Sequence, residues 1–395
     1  MITLIYKTVK ENSVLKKIVD LFAGCGGLSR GFEDAGFDIV GAFEFWDVAA
    51  KCYAANFAHP VFTDDLSDIE NAIEKVKKLS PDIIIGGPPC QDFSHAGKRV
   101  EDERAALTEC YATIITAIRP QWFVMENVDR AQNSKSYAAA RHIFKTVGYG
   151  LTEVLLNAAL YGVPQRRKRF FCIGSLNAID GFLLDYIEGN QSQTEMTLRD
   201  YFGETLDFEF YYRHPRNYSR RAIYSIDEPS ATIRGVNRPV PQGYPGHKND
   251  ACTLNSSIRP MTTLERSLVQ TFPPDFKWIG NKTETEQMVG NAVPVKLAEF
   301  IANALIHHIS GEPYYVNYAP FYEWLQDTKV VSEKVQSDTV SRLKRANTIC
   351  PMTGEPDAYY IFTLEQAPEY KTMSSAVRSQ LKRAVTLYAD YLKTP

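Results

Sequence analysis

One of the seven cysteines in this chain is placed unlike the rest. Cys90 ends the tight run Gly86-Gly87-Pro88-Pro89-Cys90, with Gln91-Asp92-Phe93-Ser94 following and the apolar segment Asp82–Ile85 just before it. Prolines remove donors and stiffen a loop, while glycines permit close approach, so the thiol is held just past a strand end. A free thiol of pKa about 8.5 is only a few per cent thiolate at neutral pH, yet it is strongly nucleophilic. A buried structural cysteine is the commoner fate, and a rigid Gly/Pro loop fits it poorly. Cysteines 25, 52, 110, 172, 252 and 350 are scattered without a Cys-x-x-Cys pair, which argues against a disulfide framework or structural zinc.

Four further groups carry chemistry. Asp20-Leu21-Phe22-Ala23-Gly24-Cys25-Gly26-Gly27 places glycines at a strand-to-helix turn, where free N–H groups can receive a ligand. Ser29 stands where the third glycine of a dinucleotide fingerprint belongs, so a nicotinamide cofactor is not supported. Glu44-Phe45-Trp46 ends the next apolar run; such a carboxylate can accept from ribose hydroxyls, and an adjacent ring can stack on a purine. Glu126-Asn127 follows Trp122–Met125 and reads equally as an acid or as a helix cap. In Gln165-Arg166-Arg167-Lys168-Arg169 an extended chain puts Arg167 and Arg169 on one face.

The elements that must position these groups alternate strand and helix, the pattern of a parallel sheet covered by helices. Strands are expected at Ile18–Phe22, Asp38–Phe43, Asp82–Ile85, Trp122–Met125 and Phe170–Ile173, with helices at Leu28–Ala35 and around Val48–Asn56. In such sheets ligands bind beyond the carboxyl ends of the strands. From about Leu176 to Gly280 Tyr, Arg, Pro and Gly become frequent and periodicity fades. One helix is expected at Glu284–Ile309, and two more near Val331–Arg345 and Ser375–Leu392.

The chain has 395 residues, 44% hydrophobic and 23% charged, which excludes a disordered, collagen-like or membrane-embedded class. The sequence reading finds no apolar run long enough for a bilayer and no signal-peptide pattern at the start, so a cytoplasmic protein is expected. Net charge is −3. Yet 211–260 holds eight Lys/Arg against three Asp/Glu, and this local excess suits a polyanion better than the net value suggests.

Pro89-Cys90-Gln91, together with Asp20-Leu21-Phe22-Ala23-Gly24, resembles the DNA (cytosine-5) methyltransferases. Glu126-Asn127-Val128, Gln165–Arg169 and Gly290-Asn291-Ala292-Val293-Pro294 follow in that family's order, so the resemblance spans Ile18 to Ile309. It implies an α/β fold: a Rossmann-like sheet dependent on S-adenosylmethionine, a smaller irregular target-recognition domain and a C-terminal α-rich extension. The boundaries expected are 1–175 for the first part of the catalytic and cofactor-binding domain and 176–280 for target recognition. A returning helix would occupy 281–311 and an extension of unassigned role 312–395.

The resemblance also implies roles. Cys90 would add to cytosine C6, Glu126 would protonate N3, and Arg167 and Arg169 would support the catalytic loop and the base. The cofactor would be held by Phe22, Ala23, Gly24, Gly26, Gly27, Leu28, Glu44, Phe45, Asp65, Leu66, Pro88, Leu107, Asn291 and Ala292. Trp46 stands where the family usually has Asp, so either Phe45 or Trp46 could be the stacking ring. Gln91, Ser94, Thr232, Arg234 and Arg238 are the expected DNA contacts. No metal and no membrane are expected.

The activity expected is site-specific methylation of cytosine C5 in double-stranded DNA by a monomeric, nucleoid-associated enzyme. A cognate restriction endonuclease encoded nearby would complete a restriction–modification pair. The short segment before the first strand is read as leaving no room for a separate DNA-binding domain there. The rivals are a tRNA cytosine-5 methyltransferase, whose Cys-Phe-Thr hallmark is absent, and a non-catalytic DNA-binding relative, against which Cys90, Glu126 and Arg169 argue.

Overall fold

The computed structural model describes residues 16–89, 98–192, 194–215, 217, 219–310, 316, 318–329, 332–352, 356, 360–361, 364–365, 367–392 and 394; for 98–106 and 329 it describes the backbone alone. Contacts divide the chain into two compact units, 1–182 with 192–303, and 183–191 with 304–395.

The first unit alternates as the sequence predicts. Its elements run β1 (Lys17–Leu21), α1 (Gly27–Ala35), β2 (Asp38–Phe43), α2 (Asp47–Ala54), β3 (Val61–Phe62), α3 (Ile69–Leu79) and β4 (Ile83–Gly86). There follow α4 (Lys98–Ile118), β5 (Trp122–Val128), α5 (Lys135–Val147), β6 (Tyr149–Asn157), β7 (Gln165–Arg166) and β8 (Lys168–Leu176). Seven of these strands form one sheet in the order β3-β2-β1-β4-β5-β8-β6. Neighbours from β3 to β5 are parallel, and β8 runs antiparallel between β5 and β6. The order reverses between β1 and β4, which opens a crevice at their carboxyl ends.

Strands such as Ile83–Gly86 are buried on both faces, hence their unbroken apolar sequence. One core joins Val19, Leu21, Ile84, Phe123 and Met125 to Tyr111, Ile115 and Phe144 of α4 and α5. A second, on the opposite side, joins Ala23, Cys25 and Ala42 to Tyr53, Phe57, Phe272 and Val295.

Two expectations are corrected. The strand read as ending at Met125 continues to Val128, because β8 keeps pairing with it as far as Val128↔Arg169. Glu126 therefore lies within a strand, not beyond its end. The single helix expected over Glu284–Ile309 is two, α9 and α10, introduced below. Pro294 has no N–H to donate and disfavours helical geometry in the residue before it.

After β8 come α6 (Leu184–Gly189), which belongs to the second unit, and then α7 (Leu198–Phe202), β9 (Phe210–Tyr212), β10 (Ile223–Ser225), β11 (Ser230–Ala231) and α8 (Thr263–Val269). The last two helices begin on capping boxes, Thr197 with Asp200 and Thr262 with Glu265. β9 and β10 pair antiparallel, and β11 pairs with β7 in parallel. Tyr211, Tyr212, Tyr224 and Tyr244 are all buried, so these rings pack; Tyr218 lies outside the described residues. α9 (Lys282–Asn291) and α10 (Val295–Ser310) follow. By length and composition the stretch Lys282–Ser310 could cross a bilayer, which the sequence reading did not anticipate, yet 61% of its most apolar window is buried in protein.

The second unit holds α11 (Tyr318–Lys329), α12 (Glu333–Ile349), α13 (Pro368–Thr372) and α14 (Ser375–Leu392). They enclose a core of their own with Phe321, Leu325, Leu343, Leu381, Val385 and Tyr388.

Candidate active site

At the carboxyl end of β1 the chain turns sharply. Phe22 and Gly24 take left-handed backbone angles, φ 60° and 58°, and Gly26 caps α1 at φ 95°. A Cβ on Gly24 would meet nothing within 4 Å, so this side of the turn is open. A Cβ on Gly27 would lie 2.3 Å from the Val293 carbonyl oxygen, so glycine lets the 291–294 loop close against the start of α1.

Glu44, just past β2, is half-buried. Its Oε2 accepts from Gly24 N–H at 2.7 Å, and its Oε1 accepts from Trp46 N–H at 2.7 Å. Burial raises its pKa and these two amides oppose the rise. Phe45 beside it is 69% exposed, whereas Trp46 packs into the second core. Ala23, Leu28, Leu66 and Pro88 are buried, Leu107 and Ala292 half-buried, and Asp65 and Asn291 exposed. Asp65 Oδ1 accepts from Ser67 N–H at 2.9 Å.

An open glycine turn at a helix start, a carboxylate at the end of β2 and a free aromatic face beside it fit a nucleoside-bearing cofactor. Asp20 adds a buried carboxyl whose Oδ1 has no hydrogen-bond partner.

The second cluster sits where β5 and β8 pair. Glu126 is 8% exposed, and Arg169 Nε lies 2.7 Å from its Oε1. Burial raises the Glu126 carboxyl, while Arg169 and then Arg167 oppose it. A Cβ on Gly87 would come within 3.2 Å of Glu126 Oε2, so the glycine brings the loop after β4 close to this carboxyl. Asn127 Nδ2 donates to the Pro88 carbonyl at 3.0 Å, tying the same loop to β5. Cys90, Gln91 and Ser94 lie outside the described residues.

Arg167 and Arg169 face inward while Arg166 and Lys168 are exposed, as the alternation predicts. Their surroundings differ. Arg167 is 1% exposed and donates to three carbonyls, Ile233 at 2.9 Å, Gly290 at 2.8 Å and Ala292 at 3.0 Å.

Two glutamines that the sequence reading gave no role complete this buried knot. Gln165 Nε2 donates to Gln270 Oε1 at 2.7 Å, and Gln165 Oε1 accepts from Ile233 N–H at 2.9 Å. Gln270 Nε2 donates to the Val289 carbonyl at 2.6 Å. No sequence signal marks Gln270, 105 residues from its partner. Ser29, noticed only as a missing glycine, donates to Asp20 Oδ2 at 2.6 Å.

Of the expected DNA contacts, Thr232 donates its hydroxyl to the Arg166 carbonyl at 2.7 Å, Arg234 Nη2 donates to the His214 carbonyl, and Arg238 is exposed. Arg213, Arg220, Arg221 and Arg234 line a cleft of about 320 Å³ with Thr232 and Tyr224. Arg221 there pairs with Glu228, and four arginines in one cleft make it rich in positive charge.

The sheet order and the glycine turn at its crevice define a Rossmann-like protein of the α/β class. The sequence profile of the C-5 cytosine-specific DNA methylases matches residues 16–307, and the chain belongs to that family: it is a DNA cytosine-5 methyltransferase. It is 54% identical over 293 residues to the Type II methyltransferase M.HindV of Haemophilus influenzae, covering 74% of this chain and 96% of that one. With the Type II methyltransferase M.HgiDI of Herpetosiphon aurantiacus it shares 53% over 290 residues, 73% of this chain and 94% of that one. Among solved structures, the S. pombe Dnmt2 methyltransferase superposes with a TM-score of 0.54 at 17% identity, covering 75% of this chain and 99% of that one.

Proposed function

We propose that this enzyme transfers a methyl group from S-adenosylmethionine to C5 of one cytosine within a specific double-stranded DNA sequence, through a covalent bond between Cys90 and C6. The observation that carries the reading is the buried Glu126–Arg169 pair, held against the loop that leads to Cys90. Cytosine C5 is a poor nucleophile, so the ring must be made electron-rich. The Cys90 thiolate adds to C6. Glu126, whose carboxyl burial keeps toward its protonated form, holds a proton at N3 and neutralises the developing charge. Arg169, paired with the Glu126 carboxyl, would also meet the base oxygen; Arg167 would act from behind, through its bonds to the carbonyls of Ile233, Gly290 and Ala292. Once C5 carries the methyl group, loss of its proton and expulsion of the Cys90 thiolate would restore the ring.

S-adenosylmethionine, when bound, supplies the electrophilic methyl group. Glu44 would hold its ribose, Phe45 would stack on its adenine, Asp65 would accept from the adenine amino group, and the Phe22–Leu28 turn, Leu66, Pro88, Leu107, Asn291 and Ala292 would complete the pocket. Phe45 is favoured over Trp46 because its ring is exposed. Cys90 reaches C6 only once the base has left the duplex, at an unstacking cost of about a few kcal/mol. Residues 176–280, with Thr232, Arg234 and Arg238 in or beside the positive cleft, would hold and read the DNA. The protein would act in the cytoplasm as the protective half of a restriction–modification pair.

Bisulfite sequencing of plasmid DNA from a methylation-free host expressing the chain tests this, with Cys90→Ala in parallel. Protected cytosines in one short recurring sequence, lost in the variant, are expected. Unprotected DNA despite abundant folded protein would overturn the reading.

A further inference from the structure

A line of hydrogen-bonded side chains runs from the cofactor turn toward the surface. Asp20, fully buried, accepts at Oδ2 from Ser29 Oγ at 2.6 Å. Ser29 Oγ is 2.7 Å from Tyr53 Oη, and Tyr53 Oη is 2.7 Å from His59 Nε2. His59 Nδ1 lies 3.5 Å from Glu33 Oε1, and the Glu33 side chain is 33% exposed. The line passes directly under the glycine turn: a Cβ on Gly26 would lie 3.0 Å from the Tyr53 ring and 2.3 Å from Phe57, which stacks on that ring. Nothing in the chemistry at Glu126 uses these groups.

Every link can point either way. In one arrangement His59 Nε2–H donates to Tyr53, Tyr53 to Ser29 and Ser29 to an ionised Asp20. In the other, three protons have each moved one link inward: Asp20 is protonated and donates to Ser29, Ser29 to Tyr53, and Tyr53 to His59 Nε2. As His59 Nε2 gives up its proton, Nδ1 takes one from solvent at the Glu33 end, so the ring changes tautomer and stays neutral; Asp20 gains one proton and the step balances. Only O–H and N–H bonds are exchanged. A buried carboxyl can thus change charge without opening the fold.

We propose that Asp20 matches the charge of the bound cofactor, ionised beside the cationic methyl donor and protonated beside its neutral thioether product. This rests on the reading of the pocket as an S-adenosylmethionine site. Transfer of the methyl group removes one positive charge from the pocket, and a buried group near that charge must respond to it. The groups that bear on Asp20 are Glu44 at the end of β2, Ser29 on α1, Tyr53 on α2 and Tyr111 on α4, with His59 and Glu33 farther along the line. None is a fixed cation. Burial, opposed by the Ser29 hydroxyl and aided by Glu44, pushes the Asp20 carboxyl up to about 7. The exchange therefore falls within the working range of pH.

Calorimetric titration of the full chain with S-adenosylmethionine and with S-adenosylhomocysteine, between pH 6 and 8.5, tests this. The affinity ratio in favour of the methyl donor is expected to rise about tenfold with pH, the effect of one pKa unit between the two complexes. Replacing the donor by the product near pH 7 should take up part of a proton, read from buffers of different ionisation enthalpy. In Asp20→Asn both signals should vanish while binding persists. In Tyr53→Phe the midpoint should move to higher pH, because Ser29 becomes a weaker donor to the carboxylate. A flat ratio in the native chain, or an unchanged profile in both variants, would overturn the proposal. Absence of binding at every pH would overturn the cofactor reading itself, and the proposal with it.

Discussion

Glu44 and Glu126 are both carboxyls at strands of one sheet, both raised in pKa by burial, and they are held in opposite ways. Glu44 is gripped by main-chain amides of residues 24 and 46, close to it in sequence. Glu126 is paired with the side chain of Arg169, brought alongside by the antiparallel pairing of β5 with β8. An amide grip survives any substitution at the donor residue except proline, and it adds no charge. An arginine grip supplies a full charge, yet depends on one side chain and on long-range strand pairing. The cofactor end is thus built for permanence, and the base-binding end for electrostatic strength.

The largest expected effect is at the base-binding end. Glu126→Gln should lower the rate constant of methylation by about 10²–10⁴-fold, the usual yield of a positioned acid. Single-turnover assays with a labelled methyl donor would measure it. A loss under fivefold would remove Glu126 from the chemistry.

Arg169→Met strikes the pair from its other side and should destabilise the chain by up to about 3–5 kcal/mol, because a buried carboxylate loses its partner. Glu126 is raised above its ordinary 4.5 already, so the folded state loses stability as pH climbs from that value through the folded one. Without Arg169 the window extends upward. Urea unfolding should accordingly show a larger deficit at pH 8 than at pH 5.5. An equal deficit would mean the ion pair carries no electrostatic weight.

Asp20 offers a carboxyl held mainly by a hydroxyl, that of Ser29. A rise from 3.8 to about 7 on folding corresponds to about 4 kcal/mol at most, lost as pH rises through that interval. Asp20→Asn should abolish this slope, so the variant gains on the native chain from pH 5 to pH 8, less the weakened bond to Ser29. Parallel slopes in thermal denaturation would show that Asp20 does not titrate there.

Glu44→Gln should be the mildest. One amide donor keeps its acceptor, melting should barely move, and affinity for the cofactor should fall about tenfold, the scale of one hydrogen bond to a charged group. A stability loss as large as that of Arg169→Met would erase the contrast between the two carboxyls.

The sequence makes the cofactor end more legible than the base-binding end for the same reason. Strand, glycine turn and Glu44 follow one another within a few dozen residues, and glycine spacing betrays the turn. Glu126 and Arg169 are legible as members of the family's pattern of residues, while their partnership needs the β5–β8 register. The Gln165–Gln270 bond was invisible, since glutamine carries no distinctive chemistry and its partner is remote. β6 escapes the sequence pattern because Tyr149–Thr152 are all buried and do not alternate, α5 because its apolar positions are interleaved with charges, and α11 because its one wholly buried pair, Phe321 and Leu325, is a weak periodic signal. The break before α10 was a misreading of a different kind. Pro294 was in plain view, but the apolar run on either side of it outweighed it.

Arg167 and Gln165 hold the chain near Ile233 by its carbonyl and its N–H, atoms that every residue but proline possesses. Nothing in that grip inspects a side chain. The stretch that carries the positive cleft is therefore clamped like a replaceable bit in a chuck. Its sequence can diverge, and with it the DNA the enzyme accepts, while Glu126, Arg169 and the cofactor turn stay as they are. Descendants of one such enzyme could acquire new targets without reinventing catalysis.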